Sequence, residues 1–69
     1  MRDVETREPG IRLGQFLKLA DLADSGSDAK ELLEAGTVLV NGEPERRRGR
    51  QLQRGDVVQV PLADPVRVA

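Results

Sequence analysis

The chain has 69 residues, with no cysteine, no histidine, a single aromatic residue (Phe16) and a formal net charge of -1. Disulfide staples, thiolate or histidine metal sites and nucleophile–histidine pairs are thereby excluded, and no stretch approaches the ~20 apolar residues that cross a bilayer. A chain of this length makes one small domain that buries only about 60% of its unfolded surface, so its stability is marginal. No apolar core of a signal peptide is visible near Met1, and the lack of cysteine fits a reducing compartment, so a cytoplasmic location is expected. No metal or other cofactor is expected, and a carboxylate-only metal site has no support in the spacing.

Residues 1–10, MRDVETREPG, are charged, lack periodicity and end in a Pro-Gly turn signal, which predicts a flexible arm. Residues 11–23 predict an amphipathic helix, since Leu13, Phe16, Leu17 and Ala20 recur at i, i+3, i+4 and i+7. Gly14 weakens its first turn by roughly 1 kcal/mol relative to alanine. A second helix is predicted from Ser27 to Ala35. Ser25 and Asp28 resemble a capping box, Ala29, Leu32 and Leu33 supply the apolar stripe, and Gly36 suits the left-handed position that ends a helix. Two turns are not stable alone, so this helix must pack on the first.

The rest predicts strands. TVLVNGE is an apolar strand running into Asn41-Gly42, a strong hairpin signal. Residues 45–52 predict a polar second strand, QRGD a turn, and residues 57–60 a third strand stopped by Pro61. PVRV predicts an edge strand within a C-terminal tail, residues 61–69. Two helices followed by strands joined through tight turns make an α+β fold, with two short N-terminal helices packed on a small antiparallel sheet. The expected core is Leu13, Phe16, Leu17, Leu32, Leu33, Val38, Val40, Leu52, Val58 and Val60.

Arg46, Arg47, Arg48, Arg50 and Arg54 crowd nine residues that contain no acid. Arginine presents a planar fork of donors that matches phosphate. On a strand, Arg46, Arg48 and Arg50 would share one face, with neighbours roughly 6–7 Å apart, and Arg47 would point the other way. The bland alternative is an edge strand kept soluble by charge. Arg12, Lys18 and Lys30 on the helices are further candidates, although Lys30 stands four residues before Glu34 and can pair with it. Ser25, Gly26 and Ser27 open a helix whose amides could receive phosphate, but the flanking Asp24 and Asp28 favour capping instead. With one aromatic residue, base stacking is nearly ruled out.

IRLGQFLKLA, then Ser25 and DAKELLEAGTVLVNGE, then RRGRQLQRGDVVQV resemble the S4-type RNA-binding domain, the alpha-L RNA-binding motif, over residues 11–60. The resemblance is strongest to small free-standing bacterial members. It implies an alpha-L RNA-binding fold whose helices and basic loop–strand surface grip structured RNA. Arg12, Lys18, Lys30, Arg46, Arg47, Arg48 and Arg50 would then face the phosphate backbone. Two positions depart from the family pattern: Gly14 stands where many members have an acid, and Gly26 where many have an arginine.

The expected function is a non-catalytic, monomeric RNA-binding protein, with ribosomal RNA or tRNA as targets and the ribosome as a partner. The alternative is a small protein-interaction module. A ubiquitin-like carrier is opposed by the VRVA terminus, which lacks Gly-Gly, and by helices that precede the strands. No convergent acid–base set points to an enzyme.

Overall fold

The structure, a computed structural model, describes residues 1–7 and 9–69; Glu8, within the expected arm, lies outside them. In chain order the elements are β1 (Arg2–Val4), α1 (Leu13–Leu19), α2 (Gly26–Glu34), β2 (Leu39–Val40), β3 (Glu43–Pro44), β4 (Val57–Gln59) and β5 (Val66–Val68). The five strands form one sheet in the order β1-β5-β4-β2-β3. The α+β class holds, with two corrections. The sheet is mixed, because β1 pairs parallel to β5 while the other pairs are antiparallel. A strand also precedes the helices.

Both corrections have one origin. The partner of β1 lies at the far end of the chain, and parallel strands need a long crossover, here the rest of the domain. Arg2–Val4 has no apolar alternation to announce it. It is held by backbone pairing to β5, by the two-pronged pair of Asp3 with Arg67 at 2.9 and 3.0 Å, and by Arg2 donating to the carbonyl of Ala20. By the same pairing β5 lies between β1 and β4, so the expected edge strand is internal.

Both helices stop through hydrogen-bonded caps. At the end of α1, Leu22 N–H donates to Leu17 O and Asp21 N–H to Lys18 O, with Asp21 at φ 60. This pairing satisfies terminal carbonyls and ends the helix at Leu19, short of the predicted 23. Asp21 takes the left-handed place usually given to glycine, so the sequence signal is weak. At the end of α2, Gly36 adopts φ 72 and donates to Leu33 O, while Thr37 Oγ1 donates to Leu32 O. Ser25 caps α2 by accepting from Asp28 N–H at 3.2 Å. Ser25→Ala is expected to lower unfolding free energy by about 1 kcal/mol, measured by urea denaturation; an unchanged midpoint would refute the cap.

The core joins Leu13, Phe16, Leu17 and Ala20 of the first helical segment, Ala29 and Leu33 of α2, and Val38, Val40, Leu52, Val58, Val66 and Val68. Val40, Val58 and Val66 stand side by side across three strands, all on the buried face. Leu32 and Val60, expected inside, are only partly buried and pack against the core from its margin.

Candidate nucleic-acid interface

After β3 the chain leaves the sheet. Pro44 has no N–H to extend the ladder, and residues 45–50 form a loop with a turn at Arg48-Gly49. The expected second strand over residues 45–52 is therefore absent, and with it the alternation that put Arg46, Arg48 and Arg50 on one face. The organising group is Glu45, only 7% exposed. Its N–H donates to Val38 O at 3.0 Å, which fixes it to the segment entering β2. Its carboxylate accepts from the N–H groups of Arg46 and Arg47 at 3.1 and 3.2 Å, from Arg47 Nε at 3.2 Å and Nη2 at 3.0 Å, and from Arg50 Nη1 at 3.1 Å.

The loop docks on the start of α1, where the first-turn N–H groups have no partner within the helix. Arg50 O accepts from Leu13 N–H at 2.8 Å and Arg48 O from Gly14 N–H at 3.0 Å. Arg12 Nη1 donates to Gly49 O at 3.2 Å, and Arg12 N–H donates to Gln15 Oε1. Gly14, a poor choice for helix propensity, is required by this contact. A Cβ there would lie 2.5 Å from Arg48 Cγ, so the arginine stem rests directly on the helix backbone. Arg46 runs the other way and covers Gly36, where a Cβ would lie 2.8 Å from Arg46 Nη2. Its cation thus sits at the C-terminus of α2, where the helix dipole favours positive charge.

Arg12, Lys18 and Arg48 converge on one open cleft of about 380 Å³, whose other walls are Gly14, Gln15, Gly26, Ala29 and Gly49. Among the described residues no carboxylate lines it, and of its three glycines Gly26 has open space beside it, Gly14 lying under the Arg48 stem and Gly49 beside Arg12 Nη1. Asp21, Asp24, Asp28 and Glu31 instead line a separate groove. This segregation lets a chain of net charge -1 present a basic face. The other sequence candidates are not part of the cleft. Lys30 lies 3.9 Å from Glu34, both side chains exposed. Arg47 and Arg50 are paired with Glu45. Arg46 stands apart over α2. Among the described residues no group of three or more acidic side chains could hold a metal, and no helix is long and apolar enough to cross a membrane.

The arginine contacts hold the Glu45 carboxyl at about 2, down from an ordinary 4.5. The Arg47 side-chain hydrogen bonds are the largest cause and outweigh desolvation, which pushes the other way; the Arg47 N–H and Arg50 add to them. A depressed carboxylate pKa stabilises the fold above the unfolded value, and that stability is lost as pH falls from about 4.5 towards 2. With solvent screening of the exposed Arg47, the contribution is about 1–2 kcal/mol. Urea unfolding between pH 6 and pH 3 is expected to show an acid-side loss that Glu45→Gln reduces. Asp3, also lowered by its hydrogen bonds to Arg67, is common to both proteins and cancels in the difference. Equal acid sensitivity in the two would refute the role of Glu45.

Glu45, Gln15 and Gly49 are the interface residues that sequence reasoning passed over. Glu45 was legible in part: it is the one acid adjoining the arginine run, between Pro44 and Arg46.

A family description, S4 domain, matches residues 4–69. The probable ribosome maturation protein RlbA of Bacillus subtilis (strain 168) is 60% identical over 50 residues, which cover 72% of this chain and 70% of that protein. The small ribosomal subunit protein uS4m of Schizosaccharomyces pombe (strain 972 / ATCC 24843) is 47% identical over 49 residues, 71% of this chain but only 15% of that protein. With nearly the whole chain matched, and with two capped helices and a loop-bearing sheet in place, the chain belongs to the S4 domain family.

Proposed function

We propose that this chain is a non-catalytic module that binds the phosphate backbone of structured RNA, with ribosomal RNA as its natural target. The carrying observation is the convergence of Arg12, Lys18 and Arg48 on a glycine-walled cleft that, among the described residues, no carboxylate lines. Membership of the S4 family and the ribosomal names of both relatives support the same reading. Binding is electrostatic and shape-directed, since A-form RNA exposes phosphates and 2′-hydroxyls more readily than base edges and this chain has one, fully buried, aromatic ring. The protein acts as a monomer in the cytoplasm, through an alpha-L-type surface, and performs no reaction of its own.

Fluorescence anisotropy with a ribosomal RNA hairpin tests this. Three or four phosphate contacts predict that affinity falls roughly 20- to 150-fold between 50 and 200 mM salt. A flat salt response, or no binding at the lower concentration, sinks the RNA reading.

A further inference from the structure

We infer that Glu45 is the positioning residue of the interface: it occupies the forks of Arg47 and Arg50 as a built-in substitute for phosphate, so that among the loop arginines it is Arg48 that faces RNA in the cleft. The inference rests on the RNA-binding reading and deepens it, because it divides the arginine run into internal partners and phosphate-facing residues. Exposure alone would rank Arg47 highly, since 78% of its side chain is accessible. Its bonding says otherwise. Nε and Nη2 donate to the two oxygens of one carboxylate, the paired geometry in which arginine also grips phosphate. Arg50, 31% exposed, donates to the same carboxylate.

Glu45 cannot easily yield these partners to a ligand. Its own N–H is bonded to Val38 O, and its carboxylate accepts two N–H groups of the loop besides the guanidinium donors. Phosphate binding by Arg47 would therefore strip a nearly buried carboxylate of two of its five hydrogen-bond donors. Arg46 and Arg48 have no such obligation: among the described residues neither guanidinium has a carboxylate partner. The Arg46 guanidinium lies against Gly36, and the Arg48 stem lies against Gly14. Glu45 thus sets both the shape of the loop and the number of charges it offers.

Counting released counterions tests this, since each phosphate-bound cation contributes about 0.7–0.9 to the slope of log affinity against log salt. Anisotropy with the same RNA hairpin is measured for the full chain and for R48Q, R47Q, E45Q and E45Q/R47Q, with thermal unfolding checked for each. R48Q should make the slope shallower by about one such step, and R47Q should leave it unchanged while lowering the melting temperature. E45Q should steepen it by one to two such steps by releasing Arg47 and Arg50, and E45Q/R47Q should be shallower than E45Q by about one step. A purely structural Glu45 would lower stability without steepening the slope. The inference is overturned if R47Q flattens the slope as much as R48Q, or if folded E45Q does not steepen it; should E45Q fail to fold, the contrast of R47Q with R48Q decides. Absence of salt-dependent binding by the wild type removes the RNA reading itself, whereas wild-type binding with equal R47Q and R48Q slopes removes only the assignment to Glu45.

Discussion

Reversing charge at Arg12 and Arg48 together, Arg12→Glu and Arg48→Glu, is expected to weaken binding of structured RNA by at least about 100-fold while the domain stays folded. Hydrogen bonds to charged groups contribute about 1.5–3 kcal/mol each, and reversal adds repulsion to the loss of two of them, so a total of roughly 3–6 kcal/mol follows. The fold loses little. Both residues are exposed, and Arg12 gives up one side-chain hydrogen bond, to Gly49 O. The loop keeps its backbone bonds to Leu13 and Gly14 and its anchor at Glu45. Anisotropy measures the affinity, and far-UV circular dichroism confirms the fold. Affinity within threefold of wild type would show that the cleft is not the RNA surface. Reversing Arg46, Arg48 and Arg50, the choice a strand would recommend, is a poorer test. A glutamate at position 50 would face Glu45, and lost binding would then be confused with a broken loop.

Phe16→Ala carries the largest expected effect on stability. Phe16 is the largest fully buried side chain, at 0% exposure, and it stands where α1 meets the core. Truncating a buried phenylalanine costs about 3–5 kcal/mol, the sum of lost apolar transfer and the cavity left behind. A domain of this size has roughly 3.5–10 kcal/mol in total at about 0.05–0.15 kcal/mol per residue. The urea midpoint should therefore fall by roughly a third or more, read by loss of helical circular dichroism at lower denaturant. Leu19→Ala on the same helix is the control: its side chain is 52% exposed, and the expected change is within about 0.5 kcal/mol. Similar losses from both would mean that α1 is not oriented by Phe16.

Local chemistry was legible from the residues because it depends on near neighbours. Ser25 and Gly36 bracket α2 through bonds that span three residues, and Asn41-Gly42 turns the chain with positive φ at both residues. The 3.6-residue stripe placed Leu13, Phe16 and Leu17 inside, and they are. The end of α1 was less legible, because an aspartate rather than a glycine adopts the left-handed turn.

Arg12, Lys18 and Arg48 could be named one by one as cations, but nothing in their spacing states that they meet. Their convergence depends on the loop carbonyls bonding to the first turn of α1 and on Gly14 leaving room for the Arg48 stem, contacts between residues more than thirty positions apart. The arginine run invited a strand reading because alternation is the simplest way to array like charges. A single inward carboxylate overrode it by drawing two arginines onto itself.

The sequence by itself therefore determined the α+β class, the helices, the hairpin turn, most of the core and the likeness to RNA-binding S4 domains, since each follows from local propensity, apolar periodicity or ordered motifs. Only the tertiary structure decided that β1 joins β5 in parallel, that the arginine run is a loop, and which cations share a cleft. Those outcomes rest on hydrogen bonds and ion pairs between distant segments, whose partners become neighbours only when the chain is folded.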